Sequence, residues 1–252
     1  MNMFDLTGHV AVVTGGNGGL GLAFARGLVK SGADVAIWGR DQRKNSSAVE
    51  ELAGLDGGAA QAFACDVADE TQIAVALVST LDRFGRVDSC FANAGVGGGC
   101  ALPEMTAEAW DGVMDVNARG VALTYASIST HMIERGGGGK LIATSSDQSI
   151  MGVNRSSNYA ASKAAVNGLT RGAAFELARH GITANALLMG YYETDMTAAA
   201  DPRFADWMTK RIPVRRFGDH EGLEGIAVFF ASPHSDYITG QCLPIDGGLC
   251  IS

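Results

Sequence analysis

The sequence predicts an α/β fold: a doubly wound parallel sheet of about seven strands with helices on both faces. Three observations predict it. Short apolar runs alternate with helical patterns over the whole length, and strands alternating with helices imply parallel pairing through crossover helices. A glycine-rich turn joins the first apolar run to the first helical pattern, the context in which glycines bring a backbone close to a pyrophosphate at a helix N-terminus. Residues with chemical potential fall just after successive apolar runs, on the rim where such sheets bind ligands.

The elements follow in order. The run at 10–14 leads into Thr14-Gly15-Gly16-Asn17-Gly18-Gly19-Leu20-Gly21. Leu20, Ala23, Phe24, Gly27 and Leu28 then recur at helical spacing until Gly32 stops them. A second run at 34–38 ends in Gly39-Arg40-Asp41. Further strand-like runs lie at 61–65, 87–92, 140–144, 183–188 and 243–245, with helical patterns at 41–55, 69–84, 106–134, 159–180 and 219–231. No repeat, low-complexity tract or linker interrupts them, so residues 1–252 read as one dinucleotide-binding and catalytic domain. The strand ends put Gly15, Arg40, Asp66, Asn93-Ala94-Gly95, Ser145-Ser146 and Gly190 on one rim. That convergence does not depend on any single motif.

Composition bounds the partners. With 47% hydrophobic and 18% charged residues the chain is globular. Its 34 glycines are about twice the usual ~7%, which points to tight turns and close backbone approaches. A net charge of −8 without a basic run argues against nucleic acid and anionic membrane. The N-terminus lacks the basic and apolar regions of an export signal, and no apolar run reaches membrane-spanning length. Five scattered cysteines without C-x-x-C spacing read as reduced thiols in a cytoplasm, and five dispersed histidines make a metal site unexpected.

Tyr159 and Lys163, four residues apart in a helical pattern, fall on one face. A phenol with a pKa near ~10 is protonated at neutral pH; a neighbouring ammonium stabilises the phenolate and makes the group a usable proton donor and acceptor. Alone, Y-x-x-x-K is a common accident of a solvated helix face. Here it stands with Thr14-Gly15-x-x-x-Gly19-x-Gly21, Asn93-Ala94-Gly95, Asn117, Ser146 and Asp246-Gly247-Gly248. In that order and spacing the chain resembles, over essentially its full length, the short-chain dehydrogenase/reductases, Rossmann-like oxidoreductases.

The resemblance implies Tyr159 as general acid/base and Ser146 as a hydrogen-bond partner of the substrate oxygen. It implies that Lys163 binds the nicotinamide ribose and lowers the Tyr159 pKa, and that Asn117 holds a relay water. Gly15, Asn17, Gly19, Leu20, Gly21, Asn93, Ala94 and Gly95 would cradle the cofactor, Asp66 and Val67 would flank the adenine, and Gly190 and Thr194 would lie by the nicotinamide. It also implies a homotetramer whose dimers form through the helices carrying Asn117 and Tyr159. The family's usual Pro-Gly after the sixth strand is Met189-Gly190 here, which frees the backbone that proline would fix and suggests Met189 as a pocket residue.

Gly39 stands where an acidic residue would hold a free ribose 2′-hydroxyl, and Arg40 follows it. A guanidinium can grip a 2′-phosphate bidentately, so NADP(H) is expected over NAD(H). Asp41 more plausibly opens the next helix. A lid is expected at 191–213, with Tyr191, Trp207 and other apolar residues leaning toward an apolar substrate, while Asp147, Gln148 and Arg155 lean toward a polar one. The expected substrate is a small ketone or secondary alcohol, contacted by Ser146, Gln148, Tyr159, Met189, Tyr191 and Trp207. The alternatives are a 3-oxoacyl-carrier-protein reductase, a sugar-acid dehydrogenase, a methyltransferase on a similar sheet, or a nucleotide-binding sensor that lost its chemistry.

Overall fold

The computed structural model describes residues 3–192 and 202–251. Seven strands form one parallel sheet in the order β3-β2-β1-β4-β5-β6-β7. They are β1 Val10–Thr14, β2 Asp34–Gly39, β3 Ala60–Ala64, β4 Ser89–Ala92, β5 Gly139–Ser146, β6 Ile182–Met189 and β7 Cys242–Ile245. The order reverses between β1 and β4, so a crevice opens beyond the carboxyl ends of these two strands. The expected α/β sheet is therefore the one found.

The inner strands are continuous apolar runs because both faces of the sheet are covered. All five residues of β1 are buried, with Ala11 and Val13 on one face and Val12 on the other. One face packs on α1 Gly19–Lys30, α2 Gln42–Ala53 and a C-terminal helix, His220–Ala231, through Phe24, Leu28, Leu52, Leu223 and Phe230. The other packs on α3 Glu70–Phe84, α5 Gly120–Arg135 and α6 Ser157–Leu177 through Ile73, Ile128, Met132 and Val166. Buried Trp38 donates its indole N–H to Thr80 Oγ1 at 3.0 Å, which satisfies the polar atom inside that layer. Asp41 and Asp69 cap α2 and α3 by accepting backbone N–H groups of their first turns.

Two boundaries differ from expectation. The helical pattern at 106–134 is two helices, α4 Ala107–Met114 and α5, joined by a π turn at Asp115–Arg119. A single wide turn leaves the apolar spacing almost unchanged, so periodicity cannot reveal it. Strands β5 and β6 run on in register as far as the pair Ser146–Met189, farther than the apolar runs indicate. Within the expected lid, α7 spans Pro202–Arg211, and the helix His220–Ala231 is α8. Among the described residues no helix is long and apolar enough to cross a membrane, all five cysteines are free, and no three His, Cys, Asp or Glu side chains are grouped to hold a metal ion.

Candidate active site

The glycine turn is shaped by contacts that exclude side chains. Gly15 has φ +63° and donates its N–H to Trp38 O at 2.7 Å. A Cβ on Gly15 would lie 3.0 Å from Ala94 Cα, and one on Gly21 would run into Gly15 O and the Asn93 amide. Gly19, with φ +51°, begins α1, and Leu20 packs beneath it on the core. Asn93 ties the crevice shut from below: its Nδ2 donates to Thr14 O (3.1 Å) and Gly15 O (3.3 Å), and its Oδ1 accepts from Thr144 Oγ1 (3.0 Å). Thr14 Oγ1 accepts from the N–H groups of Asn93 and Ala94, both at 2.9 Å.

Above this floor lies a cavity of about 330 Å³ lined by Gly15, Asn17, Gly39, Arg40, Asp66, Val67, Ala94 and Gly95, among others. Gly19, Leu20, Gly21 and Asn93 shape its floor without lining it. The cavity wall also contains Lys44, in the first turn of α2, a cation that sequence reading passed over because it lies outside every motif. A Cβ on Gly39 would fall 2.5 Å from Asn45 Oδ1 and would run into Asn17 Nδ2. Those two amides bond to each other at 2.6 Å, and Asn45 Nδ2 donates to Gly39 O at 2.9 Å. Asp41 is occupied as a cap, accepting from Arg43 N at 2.9 Å and Lys44 N at 3.1 Å. Exposed Arg40 reaches Asp66 Oδ2 at 3.4 Å.

The second half of the site is where β5 meets α6. Lys163 is buried, donates from Nζ to Thr144 O at 2.8 Å and lies 5.6 Å from the centre of the Tyr159 ring. Burial drives its pKa down to about 8. Burial also raises the Tyr159 pKa, a hydrogen bond with the Ser146 side chain lowers it, and Asp147 raises it again. In the free site burial outweighs the Ser146 hydrogen bond, and the phenol lies above its ordinary value. Ser146 Oγ accepts from Gln148 N at 3.2 Å and donates to Asp147 Oδ1 at 2.9 Å.

Asn117 is fully buried in the π turn. Its Oδ1 accepts from Val96 N (2.8 Å), and its Nδ2 donates to Val96 O (3.0 Å) and Ser162 Oγ (3.2 Å). Gly95 lies between this amide and Lys163, since a Cβ there would sit 3.3 Å from Asn117 Oδ1 and 3.6 Å from Lys163 Nζ. Gly190 is held at β7: its N–H donates to Ile245 O at 3.1 Å, and a Cβ would meet Asp246 Cα at 2.7 Å.

On the substrate side, Tyr191 lines a second cavity of about 380 Å³ with Ile212, Val214, Phe217 and Asp246, and its ring centre is 5.9 Å from that of Phe217. Gln148 accepts from Ser156 Oγ beside Ser146. Trp207, on α7, is half-exposed with the Arg211 guanidinium 4.8 Å above its ring. Met189 is a correction. It is 4% exposed and packs in the core layer of α1 and α8, because β6 continues through it and alternation turns its side chain away from the cavities. Thr194 lies outside the described residues.

The comparisons bear on the same features. A family model described as "Enoyl-(Acyl carrier protein) reductase" matches residues 15–250. The chain belongs to the short-chain dehydrogenase/reductase family. Within this family of oxidoreductases it is 36% identical to a gluconate 5-dehydrogenase of Gluconobacter oxydans, covering 100% of this chain and 98% of that protein. It is 37% identical to a 5-keto-D-gluconate 5-reductase of Escherichia coli, covering 100% and 99%. A crystal structure of a gluconate 5-dehydrogenase from Burkholderia cenocepacia, in complex with NADP and tartrate, superposes with a TM-score of 0.93 at 37% identity, covering 100% of this chain and 98% of that one.

Proposed function

We propose that this short-chain dehydrogenase/reductase transfers a hydride between NADP(H) and a small ketone or secondary alcohol. The observation that carries the reading is the junction of buried Ser146 and Lys163 with half-buried Tyr159 beside the glycine-floored crevice. When bound, the nicotinamide dinucleotide supplies or accepts the hydride. Tyr159 gives the proton to the substrate oxygen in reduction and takes it back in oxidation, a contribution on the order of 10²–10⁴ in rate. Ser146 hydrogen-bonds the same oxygen as negative charge develops there. Lys163 would hold the nicotinamide ribose. The Asn117 side chain is committed to Val96 and Ser162, so its main-chain carbonyl is the group left to hold a relay water.

The cavity fits a phosphorylated ribose. A side chain at Gly39 would have to displace the Asn17 and Asn45 amides, Asp41 is occupied as a cap, and Arg40 and Lys44 supply cations at the wall. The Burkholderia relative's NADP complex supports the same choice. We expect kcat/KM on one ketone to favour NADPH over NADH by at least ~10-fold, about 1.4 kcal/mol, and Arg40→Ala to erase most of that preference. An enzyme that prefers NADH, or an Arg40→Ala variant with unchanged preference, would overturn the assignment.

A sugar-acid substrate is the second reading, favoured by the two gluconate-pathway names among the relatives. Against it, the group that accepts the Ser146 hydroxyl is the Asp147 carboxylate, which disfavours an anionic substrate. The chain's net charge of −8 likewise offers little long-range attraction to an acidic carrier protein.

A further inference from the structure

Helix α2 buries three residues, Asn45, Ala48 and Leu52, at the spacing of one apolar stripe. The first of them is an amide, 6% exposed. Packing alone would favour an apolar side chain there, because a buried amide is costly unless both of its ends are bonded. Both ends are bonded, and each to a different part of the crevice. Nδ2 donates to Gly39 O at the end of β2 (2.9 Å), and Oδ1 accepts from Asn17 Nδ2 in the glycine turn (2.6 Å). Asn17 and Gly39 line the cavity of about 330 Å³, and Asn45 stands behind them.

The orientation of this pair of amides is fixed from one end. A backbone carbonyl can only accept, so Asn45 must turn its NH2 group to Gly39. Its oxygen then faces Asn17, which has to answer with an NH2 group of its own. An amide nitrogen carries two protons, and one of the Asn17 pair goes to Asn45. Among the described residues the other makes no hydrogen bond, so it is left for a ligand. The same pair closes position 39: a Cβ there would lie 2.5 Å from Asn45 Oδ1 and run into Asn17 Nδ2. The cations at the wall are held less firmly. Arg40 and Lys44 are exposed, and Arg40 also reaches the Asp66 carboxylate at 3.4 Å.

We propose that Asn45 is a positioning residue for cofactor choice, which aims the Asn17 amide so that its spare N–H meets the ribose 2′-phosphate of NADP(H). With Asn17 it also keeps position 39 free of the acid that would select NAD(H). The inference rests on the NADP(H) reading given above. A phosphate oxygen can only accept, and a donor already held in place binds it at less entropic cost. Without Asn45 the Asn17 amide is free to turn its oxygen toward the phosphate. The 2′-phosphate then loses a donor, while the rest of the nucleotide is held as before.

The test is calorimetric titration of the whole protein with adenosine 2′,5′-bisphosphate and with adenosine 5′-monophosphate. The two differ only in the 2′-phosphate, and neither requires turnover. Wild type should bind the bisphosphate more tightly by at least ~10-fold, about the worth of one charge-assisted hydrogen bond. Asn45→Ala should cut that ratio by about threefold to tenfold, as for the loss of one hydrogen bond, and leave the monophosphate affinity nearly unchanged. In an Asn17→Ala background the same substitution should leave the ratio as it is. Asn45→Asp keeps the side chain's shape but sets a carboxylate oxygen against Gly39 O, and it should lower the ratio as well. That variant decides the matter if Asn45→Ala melts too low to titrate. Equal weakening of both nucleotides would reduce Asn45 to a structural role and overturn the proposal. So would an unchanged ratio in the folded variants, or a change that survives Asn17→Ala. A wild type that binds the two nucleotides alike would overturn the NADP(H) reading and this proposal with it, whereas failure in the variants alone leaves that reading standing.

Discussion

At the scale of single residues, the chemistry depends on a phenol that is harder to ionise in the free protein than in water. Burial raises the Tyr159 pKa, and the Ser146 hydrogen bond opposes it in part. The group is therefore a proton donor throughout the neutral range, which suits ketone reduction. Tyr159→Phe removes one hydroxyl from a packed site and leaves the glycine-turn cavity untouched. It should bind NADPH within a few-fold of wild type in a fluorescence titration while kcat falls by at least ~10²–10⁴. Near-wild-type turnover would take Tyr159 out of the reaction. The residues that converge here were legible in part: helical spacing put Tyr159 and Lys163 on one face and the strand end put Ser146 on the rim, while the family resemblance joined the three into one site. Three features were not legible. Lys163 is turned to Thr144 O by a backbone partner. Met189 faces the core because β6 runs one residue past its apolar pattern. Asp147 is buried, which a string of letters does not display.

At the scale of elements, the crevice keeps its shape because helices approach the sheet, and one another, closely. Helices α1 and α8 share one face of it, and Gly27 is where they touch. A Cβ there would lie 2.5 Å from Glu224 O and 2.7 Å from Glu224 Cα. Those are backbone atoms, so relief requires one helix to shift. Gly27→Val should therefore destabilise the protein by ~1–3 kcal/mol through overpacking, seen as a Tm lower by several degrees; an unchanged Tm would mean that the two helices are not in contact at this position. Sequence reading used Gly27 as one more residue of an apolar stripe and could not distinguish a spacer from a contact, since only the partner backbone makes the difference. The caps Asp41 and Asp69 were easier, because an acidic residue opening a helical pattern has a local reason to be there. The π turn was invisible because its wide backbone bond, Gly120 N–H to Asp115 O, leaves the apolar spacing almost unchanged.

At the scale of the molecule, α5 and α6 turn an unusual face outward. A helix facing solvent normally carries charge. The exposed or half-exposed positions of α6 include Ala161, Ala164, Ala165, Gly168 and Gly172, and end at Phe175, which is 90% exposed. Nothing lies within 4 Å of a Cβ built on Gly168 or Gly172, so another helix backbone could come close. Helix α5 offers Ala122, Leu123, Ala126, Ser127, Thr130 and Ile133 alongside. A surface on two adjacent helices made mostly of small and apolar residues, with Arg171 and Glu176 its exposed charges on α6 and a bare aromatic ring near its end, favours pairing with its own symmetry mate, each Phe175 covered by the partner copy. We propose that these helices form the dimer from which a tetramer is built. Phe175→Asp would place a charge within that contact without touching the core or the crevice. It should reduce the molar mass measured by sedimentation from four chains to two or one, while the monomer's far-ultraviolet circular dichroism stays that of the wild type. Tyr159 lies on α6, and Asn117 in the turn that leads into α5, so a dissociated variant should also lose activity upon dilution. A Phe175→Asp protein that sediments like the wild type would show that assembly, if it occurs, uses another face.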